Sequence, residues 1–97
     1  MAAFVIVDIE ITDPVRYEQY KKLAAPTVAA HGGRYVARGG RAETLEGTRR
    51  PGRIVVLEFP TFQDARLWWD SDAYRPARDL RHACARTEMI LVEGIGP

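Results

Sequence analysis

Two long segments of the chain alternate regularly between two sets of side chains. In residues 3–11, AFVIVDIEI, one set of alternate positions is entirely apolar, and residues 53–59, RIVVLEF, follow nearly the same pattern. A period of two is typical of a β-strand, so both segments are predicted to be strands. Two further runs, at 34–38 and 87–95, are also predicted to be strands.

Helical periodicity fills the two long gaps between these strands. Asp13 followed by proline is typical of an N-cap and a first helical position, and apolar residues then recur every three or four positions to about residue 31. Pro26 is expected to kink or split this helix, because its ring displaces a backbone hydrogen bond. A second helical region begins after Thr61, and the run SDAYRP at 71–76 divides it into two segments.

The predicted order of elements is therefore β-α-β-β-α-β. Right-handed crossovers convert this order into a four-stranded antiparallel sheet with the helices on one face. The fold class is α+β with a ferredoxin-like architecture, and a single domain is expected to span residues 1–97. The polar connection after the second strand is a candidate place for a short extra strand at 44–46, and RPGR at 50–53 matches a type II turn.

The sheet face opposite the helices is predicted to be apolar. Phe4 and Ile6 in the first strand, and Ile54 and Val56 in the third, all point to that face. Each such side chain contributes roughly 1.5–3 kcal/mol when it is fully buried, so four of them are costly to leave in water. We therefore expect a homodimer in which two copies pack through this sheet face.

Composition narrows the classes of partner. A net charge of +1 gives no bulk attraction to nucleic acid or to an anionic membrane, so neither is an expected partner. The N-terminal segment lacks the features of a signal peptide, and no apolar run approaches the ~20 residues of a membrane span. The single cysteine, Cys84, excludes an internal disulfide and suits a reducing compartment, so we expect a cytoplasmic protein.

The glycine pairs in HGGRYVARGG, residues 31–40, raise the question of a phosphate-binding loop. Such a loop places glycines between a strand and the N-terminus of a helix. Here Gly32 ends a helix, where a left-handed residue is preferred, and the second pair follows a strand that leads to another strand. Both pairs are therefore interpreted as turn residues.

Several short pieces of the chain occur in a characteristic order: DPVRYEQY, HGGRYVARGG, LEG at 45–47, VVLEFP, ARLWWDSDAY, Arg81 and the closing VEG. Together they resemble a family known only as domain of unknown function 1330, within the dimeric α/β-barrel superfamily. The sequence departs from relatives at Trp69, where a tyrosine is common. The resemblance covers about residues 4–94 and implies a dimer whose two sheets close into a barrel. It implies no particular reaction, because the family has no settled one and a fold does not determine a function.

Arg38 and Glu58 are the charged residues that most strongly indicate a site. Each lies in or at the end of a predicted strand, and the two strands are expected to be adjacent in the sheet. In one interpretation Arg38 holds a carboxylate or enolate of a ligand and Glu58 moves a proton. In the other they form a structural ion pair. His31, at a helix C-terminus, is a second candidate base or else a capping residue.

Aromatic side chains and one further arginine complete the candidate binding site. Trp68 and Tyr74 are expected to shape the wall of a pocket, and Arg81 is a second candidate for holding an anion. The two histidines, His31 and His82, lack the spacing of metal ligands, so neither a metal nor another cofactor is expected.

These residues are compatible with two functions. In the first, a small homodimeric α/β-barrel protein binds a small apolar or aromatic molecule bearing an acidic or enolisable group, and acts on it without a metal if it is an enzyme. In the second, the protein is a non-enzymatic dimeric binding or stress-type module whose charged residues are structural.

Overall fold

A computed structural model describes residues 1–96, and Pro97, the last residue of the predicted domain, lies outside the described residues. Within the described part of the chain, no helix is long and apolar enough to cross a membrane. The elements are β1 (Ala3–Ile11), α1 (Pro14–Ala30), β2 (Arg34–Arg38), β3 (Arg53–Phe59), α2 (Phe62–Asp70), α3 (Arg75–Cys84) and β4 (Ala85–Glu93).

The four strands form one antiparallel sheet in the order β2-β3-β1-β4. At the centre of the sheet, Ile6 of β1 pairs with Val56 of β3 on one side and with Ile90 of β4 on the other. The helices cover one face only, where α1 packs against α3 and α2 packs on β1, β3 and β4. The predicted α+β, ferredoxin-like fold is confirmed.

The core lies between the helices and the sheet. Trp68 of α2 is its largest fully buried side chain, and its ring lies 5.3 Å from that of Phe59 and 4.2 Å from that of Tyr74. The indole Nε1 of Trp68 donates a hydrogen bond of 3.1 Å to the Thr27 hydroxyl of α1. Tilted aromatic contacts add to the burial of apolar area, so Trp68 ties α1 and α2 to the sheet.

The ends of α1 follow from its sequence. The Asp13 carboxylate accepts a hydrogen bond of 3.2 Å from the backbone N–H of Arg16, which confirms the predicted N-cap. The helix continues through Pro26 to Ala30, so the predicted split is wrong. Gly32 then adopts φ +77°, the left-handed conformation expected where a helix ends.

The second helical region divides as predicted, but β4 begins earlier than expected. Thr61 caps α2 by accepting from the backbone N–H of Asp64 at 3.0 Å. The chain passes from Cys84 at the end of α3 directly to Ala85 at the start of β4. The predicted strand at 87–95 is therefore displaced by two residues at each end. Pairing with the whole of β1, from Ala3 to Ile11, sets the observed bounds.

The connection between β2 and β3, residues 39–52, differs from its prediction in two respects. The short strand proposed at 44–46 is not formed, and these residues lie exposed in an irregular loop. The type II turn at 50–53 is also wrong, because Gly52 lacks the positive φ that the turn requires at its third position.

Arg49 fastens this loop to the open face of the sheet. Its guanidinium lies 2.9 Å from the Asp8 carboxylate of β1 and 2.8 Å from the Glu88 carboxylate of β4. The backbone N–H of Gly52 donates to the same Asp8 carboxylate at 2.9 Å. Exposed ion pairs contribute little to stability, so this network chiefly orients the loop.

Candidate functional site

A cavity of about 410 Å³ lies between α2, α3 and the β4 side of the sheet. This volume is within the range of small-molecule sites. The exposed side chains of Arg66 and His82 belong to its lining, so the cavity opens to solvent. The lining includes Trp68, Trp69, Met89, Leu91, Arg81 and Thr87.

Arg81 brings a buried positive charge to this cavity. It lies on the inward stripe of α3 between Ala77 and Cys84 and keeps only 3% of its surface exposed. Its Nε donates a long hydrogen bond of 3.4 Å to the Tyr74 hydroxyl. Among residues 1–96, no carboxylate lies within 4.0 Å of its guanidinium. Buried charges are normally paired, so a buried guanidinium without a carboxylate partner is uncommon.

Thr87 places a second polar group in the same wall. In β4 its side chain follows the inward set of alternate positions, together with Met89 and Leu91. The Thr87 hydroxyl oxygen is enclosed and has no hydrogen-bond partner in the described part of the chain. An unmade hydrogen bond of this kind costs about 1–3 kcal/mol.

Tyr74 supports Arg81 from behind. It is fully buried, so it does not form the cavity wall as predicted but lies one layer deeper. Its hydroxyl is 3.0 Å from that of Tyr20 in α1 and accepts from Arg81. Burial, together with the neighbouring Tyr74, raises the pKa of Tyr20 far above its ordinary value, so this phenol remains protonated. The network therefore positions Arg81 without neutralising it.

The expected proximity of Arg38 and Glu58 is wrong. Arg34, not Arg38, lies opposite Glu58 in the antiparallel pair of β2 and β3. A β-bulge between Tyr35 and Ala37 turns Arg38 to the helix side of the sheet, opposite Val55. Glu58 faces the open side, where the Arg34 guanidinium lies 2.6 Å from its carboxylate.

Arg38 instead stacks on an aromatic ring on the helix side. Its guanidinium lies 4.6 Å from the centre of the Tyr35 ring. Such cation–π contacts contribute roughly 0.5–1 kcal/mol at exposed sites. Arg38 lines a second, smaller cavity together with Trp68, which is common to both cavities.

The two histidines have separate positions. His31 caps α1, and its Nδ1 donates a hydrogen bond of 2.8 Å to the carbonyl oxygen of Thr27. It is not part of the lining of the 410 Å³ cavity. His82 is exposed and lies at the rim of that cavity. Across residues 1–96, no three histidine, cysteine or carboxylate side chains are grouped so that they would hold a metal ion.

Sequence reasoning did not identify Thr87 as a site residue and gave Arg81 only a secondary place. The pattern marks Thr87, but it allows either Leu80 or Arg81 at the inward position of α3. Thr87 interrupts an inward apolar alternation in β4, and Arg81 continues the stripe formed by Ala77 and Cys84. A polar residue at an inward position is therefore the feature that marks this site.

The family of the chain is settled by comparison with family models. The model described as domain of unknown function (DUF1330) matches residues 2–95. The chain belongs to the DUF1330 family. The resemblance inferred from its short motifs is thereby confirmed. Among curated proteins, none matches the sequence significantly.

Solved structures similar to this DUF1330 chain share its fold. A protein of unknown function from Rhodopseudomonas palustris has a TM-score of 0.80 at 16% identity, over 99% of this chain and 84% of that one. SnoaB, a cofactor-independent oxygenase from Streptomyces nogalater, has a TM-score of 0.68 at 13% identity, over 99% of this chain and 95% of that one. A dimeric ferredoxin-like protein of unknown function from Bacteroides fragilis has a TM-score of 0.66 at 14% identity, over 96% of each chain. At these identities the likeness shows the fold alone.

Proposed function

We propose that this DUF1330 protein binds a small, flat, apolar or aromatic molecule bearing an acidic or enolisable group, in the cavity beneath α2 and α3. The observation that carries the proposal is Arg81, which is 3% exposed and has no carboxylate within 4.0 Å among residues 1–96. Trp68, Trp69 and Met89 supply apolar surface for the body of the ligand. A charged anchor in an otherwise apolar concavity is the usual composition of a specific small-molecule site.

The test compares affinities for matched acids and amides. Benzoate, salicylate and phenylpyruvate are titrated against the protein while tryptophan fluorescence is followed, with benzamide as the neutral analogue. Arg81→Met keeps most of the side-chain volume and removes the charge. We expect it to weaken binding of the acids at least tenfold and to leave benzamide unaffected. Arg75→Met, on the exposed side of α3, is the matched control and should bind the acids normally.

Thermal stability separates a ligand-binding role of Arg81 from a structural one. Replacing a buried charge that lacks a partner with an apolar side chain is often neutral or stabilising. We therefore expect the Tm of Arg81→Met to equal or exceed that of the parent protein without ligand. A lower Tm together with unchanged affinity for the acids would show that Arg81 is structural, and the proposal would be wrong.

The same proposal includes a homodimer formed through the open face of the sheet. The centre of that face is apolar, with Phe4, Ile6 and Val56 beside Ile90 and Val92 of β4. This face is not roofed by the chain's own helices, which all lie on the other side. The Bacteroides fragilis protein with the same fold is described as dimeric, which supports this assembly.

A catalytic role is a second candidate, and His82 favours it. Its imidazole lies at the rim of the same cavity as Arg81, so a base and an anion-binding group lie along one surface. Such a pair suits removal of a proton from an enolisable acid, with Arg81 holding the resulting enolate. Exchange of the α-protons of phenylpyruvate in deuterated buffer tests this, and loss of exchange in His82→Gln is the expected result.

The remaining alternative is a non-enzymatic module whose charged residues are structural. The ion pair that Glu58 forms on the open face favours this alternative for that residue. Because Glu58 is paired with Arg34 on the surface away from the cavity, we assign it a structural role. The alternative would be favoured overall if neither acids nor amides bind with saturation.

A further inference from the structure

A second cavity, of about 30 Å³, lies at the other end of the space between the helices and the sheet, under α1 and beside β2 and β3. Trp68 and Met89 contribute to the walls of both cavities, so they separate the two. The second cavity differs in its polar lining, which includes Lys21, Arg38 and Arg53 but no carboxylate.

Two of these cations are unpaired in the described part of the chain. Lys21 forms an ion pair of 3.0 Å with Glu18 on the surface of α1, whereas neither Arg38 nor Arg53 has a carboxylate within 4.0 Å. The Nε of Arg53 is enclosed and has no hydrogen-bond partner. An enclosed donor of this kind is costly unless something accepts its proton.

The guanidinium groups are held in place by aromatic rings and by one glycine. Arg38 lies 4.6 Å from the centre of the Tyr35 ring, and Arg53 lies 5.6 Å from the centre of the Tyr17 ring. Gly39, at φ +70°, leaves room for the Arg53 guanidinium, which any side chain at that position would overlap. The second glycine pair of HGGRYVARGG is thus partly a packing requirement of this arginine.

The surrounding tyrosines do not neutralise the two arginines. Burial raises the pKa of Tyr17 and that of Tyr35 above the ordinary value, although the adjacent arginines oppose the shift. Both phenols are therefore protonated at neutral pH and supply O–H groups rather than negative charge. The result is an uncompensated positive region with hydroxyl donors around a small void.

We propose that this second cavity binds a small monovalent anion, such as chloride, bromide or nitrate, between Arg53 and Arg38. Its volume exceeds the ~10–15 Å³ that one water-sized sphere occupies, yet it is far too small for an aromatic ring. The proposal is independent of the ligand of the larger cavity, because it rests on Arg53 and Arg38 rather than on Arg81 and Thr87.

The test measures Tm while sodium chloride replaces sodium gluconate at constant ionic strength, which holds general screening by salt constant. Gluconate is too large to enter the second cavity. The series is repeated in Arg81→Met, which removes the charge that could hold the gluconate carboxylate in the larger cavity. We expect a saturable rise in Tm with chloride and with nitrate, because an ion that binds only the folded state stabilises it. Arg53→Gln should weaken the apparent affinity for chloride at least tenfold, and Arg41→Gln, on the exposed loop, should not change it.

Two further measurements keep the proposal open to refutation if Arg53→Gln fails to fold. Arg38→Gln, at an exposed position, should also weaken the chloride effect. Crystals soaked in sodium bromide should show an anomalous peak between Arg38 and Arg53. Identical Tm values in chloride and gluconate, an equal chloride response of Arg53→Gln and Arg41→Gln, or absence of the bromide peak would each overturn the proposal, whatever the outcome for the larger cavity.

Discussion

The substitution Val92→Lys tests the proposed dimer at the β4 edge of the open sheet face. Val92 lies on the open face of the sheet, opposite Phe4 of β1, and is 45% exposed in the single chain. Lysine at this position can extend into solvent from an isolated protomer, so the fold should survive. In a dimer packed through this face, the same ammonium group would be buried against apolar side chains.

The size of the effect follows from the exposed fraction. Full burial of a valine side chain contributes roughly 1.5–3 kcal/mol, so burial of the remaining 45% contributes about 0.7–1.3 kcal/mol. In a two-fold symmetric interface each residue occurs twice, which doubles this to roughly 1.4–2.6 kcal/mol. Since each 1.4 kcal/mol is a factor of ten, the dimer Kd should rise about 10-fold to 70-fold, before the cost of desolvating two ammonium groups is added.

Sedimentation equilibrium over a range of protein concentrations measures this Kd directly. The matched control is Val15→Lys, which makes the same chemical change at a 73% exposed position of α1, on the helix side of the molecule. We expect the control to associate like the parent protein. A parent protein that sediments as a single chain at all concentrations would refute the dimer. An unchanged Kd for Val92→Lys would refute packing through this face.

Two further predictions concern the folded chain itself. Gly33→Ala should lower the free energy of unfolding by roughly 1–3 kcal/mol in urea titrations, because an added Cβ would lie 2.6 Å from the Phe59 ring and 2.8 Å from Val28. The control is Gly40→Ala, which should cost far less because no atom lies within 4 Å of the added Cβ. Burial raises the pKa values of Tyr17, Tyr20 and Tyr35, so the folded state holds these protons more tightly than the unfolded state. Their contribution to stability is therefore complete below about pH 10 and is lost as pH rises towards the folded pKa values. Phenolate absorbance should then rise together with unfolding, and gradual ionisation near pH 10 in a still-folded protein would contradict this.

The fold was predictable because alternation and helical spacing report burial directly. The first strand, at 3–11, and the third, at 53–59, have long apolar alternations, and their predicted bounds agree with the structure. The bulge in β2 was not predictable, because one extra residue in a five-residue strand leaves no mark in its pattern. That single residue turns Arg38 away from the face of Glu58. The strand register, which the pattern also leaves open, places Arg34 rather than Arg38 opposite Glu58.

Arg81 shows a different limit of the sequence pattern. In α3, steps of three and four residues allow an inward stripe through either Leu80 or Arg81, because both lie within one turn of Ala77 and Cys84. Hydrophobicity favours Leu80, yet Arg81 is the more deeply buried of the two. Burying a charged residue costs hydration free energy, so the sequence pattern does not favour Arg81 at this position and only the packed structure reveals it.

The distribution of paired and unpaired charges separates the two faces of the sheet. On the open face, Glu58 is paired with Arg34, and Asp8 with Arg49. On the helix side, Arg81 has no carboxylate within 4.0 Å among residues 1–96, and the phenols around it are neutral. If charged residues served only to hold the fold, the most buried of them should be the best paired, since an unpaired buried charge is the most expensive kind. In this chain the deeply buried arginine is the one without a carboxylate partner. That arrangement is expected of a protein in which a ligand from solution supplies the anion.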